Sequence, residues 1–124
     1  MINILFFLKC FVVAIILLNV SCSSDNKKKE IEYIDREVDD IYNSAIDFLE
    51  DDKYIKASNE FDEVERQHPY SIWATRAQIM GAYVKYKMQN YDVAIAAAQR
   101  YIDLHPGAND IDYAFYLISL SYYE

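Results

Sequence analysis

Cys22 carries the most reactive side chain at the most informative place in this sequence. It follows Ser21 and closes an almost wholly apolar run from Ile2 to Val20, interrupted by Lys9 and Asn19. A charge, a short apolar core from Cys10 to Leu18 and a small residue before the cut describe a secretory signal peptide. A cysteine directly after that small residue describes a lipoprotein signal, in which the thiol takes a diacylglyceryl thioether, the leader is cut before Cys22, and the freed amine is acylated. The covalent diacylglycerol and N-acyl lipid on Cys22 is then the only prosthetic chemistry expected, with no cofactor and no metal. The leucine usual three residues before such a cysteine is Asn19 here, with Leu18 displaced by one, while Val20 and Ser21 suit the motif. The competing reading is an uncleaved anchor, since a run of this length just reaches across a bilayer and Lys27-Lys28-Lys29 would keep the rest in the cytoplasm. Lys9 in mid-run and the position of Cys22 favour cleavage.

The remaining reactive side chains do not assemble into catalysis. His68 and His105 each precede a proline, a position with a turn-forming task, and they recur at equivalent places in successive repeats, too far apart to share a metal. The acids Asp35, Glu37, Asp39, Asp40, Asp47, Glu50, Asp51 and Asp52 are scattered over a helix surface and its exit, and no glycine stands where a calcium loop needs one. Gly81 and Gly107 are the only two glycines, so there is no phosphate-cradling loop. The expected role is binding and not enzymatic. Cleavage removes Cys10 and Lys9 together, which leaves no thiol for a disulfide and takes the formal charge from −8 to −9. So acidic a chain repels phosphate backbones, and nucleic acid is not an expected partner.

An internal repeat must position whatever does the binding. His68-Pro69 returns as His105-Pro106, and the same offset of 37 residues links Tyr54 to Tyr91, Ala57 to Ala94 and Ala45 to Ala82. The unit has the layout of a tetratricopeptide (TPR) hairpin, two antiparallel helices in a frame of about 34 residues ending near a proline. Small residues at 45/82 and 57/94 let the two helices approach where they cross. Phe61 then Val64 in the first unit become Ala98 then Tyr101 in the second, which conserves the volume delivered to one helix face. Ala77 to Ala114, Met80 to Leu117 and Tyr86 to Tyr123 extend the offset into a third unit. The fold class is therefore all-α, a TPR-type hairpin array of about two and a half repeats after a cleaved lipoprotein signal peptide. The divisions expected are 1–21 signal peptide, 22–29 lipidated cysteine and linker, 30–69 hairpin 1, 70–106 hairpin 2, and 107–124 helix A of an incomplete third hairpin, as in the N-terminal portion of a longer repeat protein. Seven linker residues reach at most roughly 25 Å, which keeps the repeats near the membrane. Apolar residues at Ile31, Ile34, Val38, Ile41, Ala45 and Phe48 have helical spacing, and predict that the first helix starts early, near Glu30.

Helix A lines the concave surface of stacked hairpins. Its fifth, ninth and twelfth frame positions are Tyr42, Ile46 and Leu49 in unit one, Ile79, Tyr83 and Tyr86 in unit two, and Tyr116, Leu120 and Tyr123 in unit three. All are apolar or aromatic. Tyrosine offers a large contact area and a polar tip at low entropic cost, so these residues form a candidate groove for an extended or helical peptide with spaced apolar side chains. The competing assignment is that they pack one repeat against the next.

Three stretches carry a family resemblance: Glu63-Val64-Glu65-Arg66-Gln67-His68-Pro69-Tyr70-Ser71, then Trp73-Ala74-Thr75-Arg76-Ala77-Gln78, then His105-Pro106 with Asp112-Tyr113-Ala114-Phe115-Tyr116-Leu117 and Leu120-Ser121-Tyr122-Tyr123-Glu124. From Cys22 to Glu124 the chain resembles the BamD family of outer-membrane assembly lipoproteins. The resemblance implies a lipid-anchored, periplasm-facing outer-membrane scaffold of the β-barrel assembly machinery in a Gram-negative bacterium, with about five repeats when complete. It implies as partners the other components of that machinery, unfolded outer-membrane proteins whose C-terminal signals the N-terminal repeats recognise, and the membrane through the lipid. The alternative is another periplasmic TPR adaptor lipoprotein, serving cell-wall synthesis or division.

Overall fold

A computed structural model of the protein describes residues 35–124. The signal segment, Cys22 and the linker lie outside the described residues. Five α-helices follow one another: α1 (Val38–Glu50), α2 (Tyr54–Gln67), α3 (Ile72–Lys87), α4 (Tyr91–Leu104) and α5 (Ile111–Tyr123). Each packs on its neighbours in sequence, and α3 also touches α1 and α5. This is the all-α hairpin array of TPR type that the repeat implies, with no strand among the described residues.

The repeat is written into the backbone as well as the side chains. Both A-to-B turns end the first helix in a residue of positive φ, Asp52 at 57° and Gln89 at 61°. The next amide folds back five residues, Lys53 N–H to the Phe48 carbonyl (2.8 Å) and Asn90 N–H to the Lys85 carbonyl (3.0 Å), and the positive-φ residues bond Leu49 and Tyr86. These are Schellman caps, which satisfy the last carbonyls of a helix, here built without the usual glycine. The B helices also end alike: His68 and His105 have φ, ψ of −131°, 56° and −130°, 56°. Ser71 N–H then bonds the His68 carbonyl and Ala108 N–H the His105 carbonyl, both at 3.0 Å.

The core follows from the small residues at the crossings. Ala45, Ala57, Ala82 and Ala94 are fully buried, so each hairpin closes with backbones in near contact. One core cluster joins Ile41 and Ala45 to Phe61 and Val64 and to Ala74, Ala77 and Val84; a second joins Ile79 and Ala82 to Ala98, Tyr101, Ala114 and Leu117. Helix α3 supplies both. That is why its apolar residues run around the helix rather than along one stripe, as in any helix covered on more than one side. The Phe61/Val64 and Ala98/Tyr101 exchange holds, with all four at or below 1% exposure.

Within the described residues α1 does not run back toward Glu30 as its apolar spacing predicts. Residues 35–37 are not helical, and α1 begins at Val38 after Glu37 at φ −60°, ψ 139°. The reason is local. Arg36 N–H donates to Gln67 Oε1 (2.9 Å), its carbonyl accepts from His68 Nε2 (2.7 Å), and its guanidinium pairs with Glu60 (2.7 Å). Three bonds to α2 and its end outweigh one more helical turn whose amides would otherwise be uncapped.

A polar strap links the two hairpins. Arg100 of α4 pairs with Glu65 of α2 (3.0 Å), Glu65 accepts from Gln78 Nε2 of α3 (3.1 Å), and Gln78 Oε1 accepts from His105 Nε2 (2.9 Å). The two prolyl-flanking histidines thus both donate from Nε2, one to a backbone carbonyl and one to a side-chain amide.

Candidate peptide-binding face

The groove residues fall into two groups. Tyr42 on α1 is held in an aromatic stack: its ring meets Phe61 edge-on at 5.6 Å and Trp73 at 4.7 Å, and the Arg76 guanidinium sits 5.2 Å over Trp73. Burial raises the Tyr42 phenol above its ordinary range, against the opposing pull of Arg76. Ile46 and Leu49 are half-buried against the same cluster, and Ile79 is 5% exposed inside the second. These four pack the repeats together, and Ile79 has no free surface to offer.

The other five are on α3 and α5. Tyr83 and Tyr86 lie half-buried on the second cluster, Tyr116 is 58% and Tyr123 86% exposed, and Leu120 is half-buried beside them in sequence. Tyr83 meets Tyr113 at 6.5 Å, Tyr113 meets Tyr116 at 6.2 Å, and Tyr86 meets Tyr91 at 5.7 Å. Burial, then the neighbouring phenols of Tyr83 and Tyr116, raise the Tyr113 phenol. Burial, then the nearby Glu124 carboxylate, do the same at Tyr86. The face presents ring surface and hydroxyl groups, with Lys87 and Glu124 at its edge beside Tyr86.

Tyr113 and Tyr91 are absent from the frame-position reading. Tyr113 stands three residues before Tyr116, hence on the same helix face, and that spacing was the available signal. A further apolar pair, Tyr70 and Ile72, is strongly exposed at 101% and 69% in the loop before α3 and its first turn; repeat spacing marks these only as extra loop.

The tyrosine face is a surface and not a cavity. A recess of about 240 Å³ formed by Tyr86, Lys87, Gln89, Tyr91 and Glu124 touches it. Recesses of about 400 and 300 Å³ lie instead at the two A-to-B turns, around residues 52–56 and 89–93. Among the described residues, no three His, Cys, Asp or Glu side chains are grouped to hold a metal ion, and no helix is long and apolar enough to cross a membrane.

Comparison with known proteins places this geometry. The "Outer membrane protein assembly factor BamD" of Caulobacter vibrioides is 40% identical over 103 residues, 83% of this chain and 34% of the relative. The protein of the same name from Rickettsia prowazekii is 34% identical over 110 residues, 89% of this chain and 44% of the relative. That of Neisseria gonorrhoeae is 36% identical over 86 residues, 69% and 32% respectively. The chain therefore spans between about a third and under half of the length of these curated relatives. A family profile described as "YfiO: Outer membrane lipoprotein" matches residues 34–124, the whole of the helical array. With that match, the repeats just described are those of the YfiO outer membrane lipoprotein family, and the chain belongs to it.

Proposed function

We propose that this protein is a lipid-anchored, periplasm-facing scaffold of the outer membrane that takes part in assembling β-barrel proteins, receiving signal segments of unfolded barrel proteins on its tyrosine face. Family membership supports the assembly role, because the named relatives are outer membrane protein assembly factors. The observation that carries the binding role is the run of ring contacts that joins Tyr83 of α3 to Tyr113 and Tyr116 of α5. A barrel strand alternates apolar and polar residues, and its apolar side chains match a ring-lined surface. The role is non-catalytic. The anchor is the diacylglycerol and N-acyl lipid on Cys22, and the partners are the other barrel-assembly components and unfolded outer-membrane proteins.

Co-purification of the full-length protein from membranes tests this reading. Barrel-assembly components in stoichiometric amount, with unfolded outer-membrane proteins in pulse-labelled cells, are the expected result. Stoichiometric cell-wall or division proteins in their place would transfer the chain to the adaptor class. Cys22→Ala should abolish fatty-acid labelling, and label retained by that variant would remove the lipid anchor from the proposal.

A further inference from the structure

A recess of about 320 Å³ opens between α2 and α4, with Gln78, Gly81 and Lys85 of α3 along its floor. Glycine in mid-helix is destabilising, and packing gives no reason for it here. A methyl group at Gly81 would stand 3.6 Å from Lys85 Nζ and 3.8 Å from Phe61 Cβ, both ordinary contact distances. What glycine keeps is room: the Lys85 side chain folds back one turn along α3, and its ammonium comes to rest beside the bare Gly81 backbone. The repeat does not demand the pair either, since 37 residues away Gly81 and Lys85 become Ser44 and Phe48, or Ile118 and Tyr122. The four charges around the recess are unequally satisfied. Glu65 accepts from both Gln78 and Arg100, and Asp62 stands on the rim with its side chain 61% exposed. Lys85 is only 20% exposed, its ammonium makes no hydrogen bond among the described residues, and its one ion pair is with Asp62 at 3.5 Å. An ammonium has three donors, so the inner, under-used group of the recess is a cation. The Arg100 guanidinium lies at the mouth, and Val93 and Ala97 give the recess an apolar wall on α4.

We infer that this recess is a docking site for a glutamate side chain presented by a partner protein. The incoming carboxylate replaces Asp62 on Lys85 and reaches Arg100, while its methylene stem lies on Val93 and Ala97. The occupant is a polypeptide because Val93 is 50% exposed at the edge of the recess, an apolar contact for the residue beside the glutamate that a small free carboxylate has no means to use. The site draws on none of the residues of the tyrosine face, and it stands or falls apart from the reading of that face.

Amide NMR of the full-length protein, titrated with the peptide acetyl-Leu-Glu-Leu-amide and with its glutamine counterpart, tests the inference. The glutamate peptide should move the Gly81 and Ala97 amide signals saturably and bind about tenfold more tightly than the glutamine peptide. Lys85→Met keeps the stem, removes the charge and should weaken binding about tenfold. Gly81→Ala should raise the melting temperature, because alanine is the better helix former, and still lose most of the binding, because the new methyl group takes the room. Asp62→Asn should tighten binding about threefold by releasing Lys85, where an ion pair that served packing alone would give only lost stability. Equal shifts from the two peptides overturn the inference, and so does the absence of a saturable shift at these amides. Parent-like affinity in both Lys85→Met and Gly81→Ala overturns it as well. Glutarate bound as tightly as the glutamate peptide overturns the protein partner and makes the recess a site for a small carboxylate.

Discussion

The two hairpin junctions share a backbone and differ in what they do with their aromatic residues. At the first, Tyr42, Phe61 and Trp73 close on one another and Arg76 caps the stack, so large side chains are consumed in packing. Offset by 37 residues, these positions are Ile79, Ala98, Asp110 and Tyr113. Ile79 and Ala98 sink into the core, Asp110 accepts from the buried Tyr101 hydroxyl, and Tyr113 is left outside to join Tyr83 and Tyr116. A single hairpin geometry thus consumes its large aromatic side chains in packing at one junction and not at the other, following where volume sits in the interior.

The largest effect that would sharpen this contrast is at Phe61. Phe61→Ala removes the ring that holds Tyr42 and should cost about 3–5 kcal/mol in chemical denaturation. A loss below about 1 kcal/mol would mean the first junction is not closed by that stack. Next in size, Tyr83→Ala with Tyr86→Ala should weaken a client peptide ending in an aromatic strand by about 2 kcal/mol, the scale of one hot spot. Tyr42→Ala should instead lower the melting temperature and leave peptide affinity unchanged. If Tyr42→Ala weakens binding in a variant that still melts like the parent, the assignment of Tyr42 to packing is wrong.

A smaller effect separates the hairpins by pH. Hydrogen bonds from Arg66, then from Gln67, hold Glu63 at about 2, below its ordinary 4.5. Its folded-state value is depressed, so its contribution is present above about 4.5 and is lost as pH falls toward about 2. Residues 63 and 66 correspond to Arg100 and Asp103 in the second hairpin, where the charges are reversed. Glu63→Gln should therefore flatten the acid limb of the stability curve by about 1 kcal/mol once solvent screening is counted, and an unaltered limb would remove Glu63 from the account. The smallest effect is at the caps. Gln89→Gly relieves a positive φ and should stabilise by about 0.5–1 kcal/mol. Asp52→Gly should gain less, because aspartate tolerates that conformation better and here accepts from the Tyr54 hydroxyl. Equal gains at the two sites would show that the Tyr54 bond contributes nothing.

How far the sequence could be read follows the range of the interactions involved. The 37-residue offset marks positions that meet the same neighbours in each unit, so the helices, their crossings and the Phe61/Tyr101 exchange were legible. The helix start was not. Apolar spacing through Ile31 and Ile34 says nothing of Arg36, whose partners Glu60, Gln67 and His68 lie a hairpin away. The groove assignment treats every frame position alike, and Ile79 shows the limit of that, because α3 is covered by helices on both sides. Tyr113 escaped for the converse reason: its frame equivalent, Arg76, sits on Trp73, so nothing in unit two hinted that the position would carry a ring in contact with Tyr83 and Tyr116.

Because α3 furnishes side chains to both clusters, neither pair of outer helices can detach without exposing it to water. In an array whose stability is a sum of units and nearest-neighbour terms, such a shared wall raises cooperativity. Amide hydrogens in the middle of α3 should exchange only through global opening and report the full unfolding free energy.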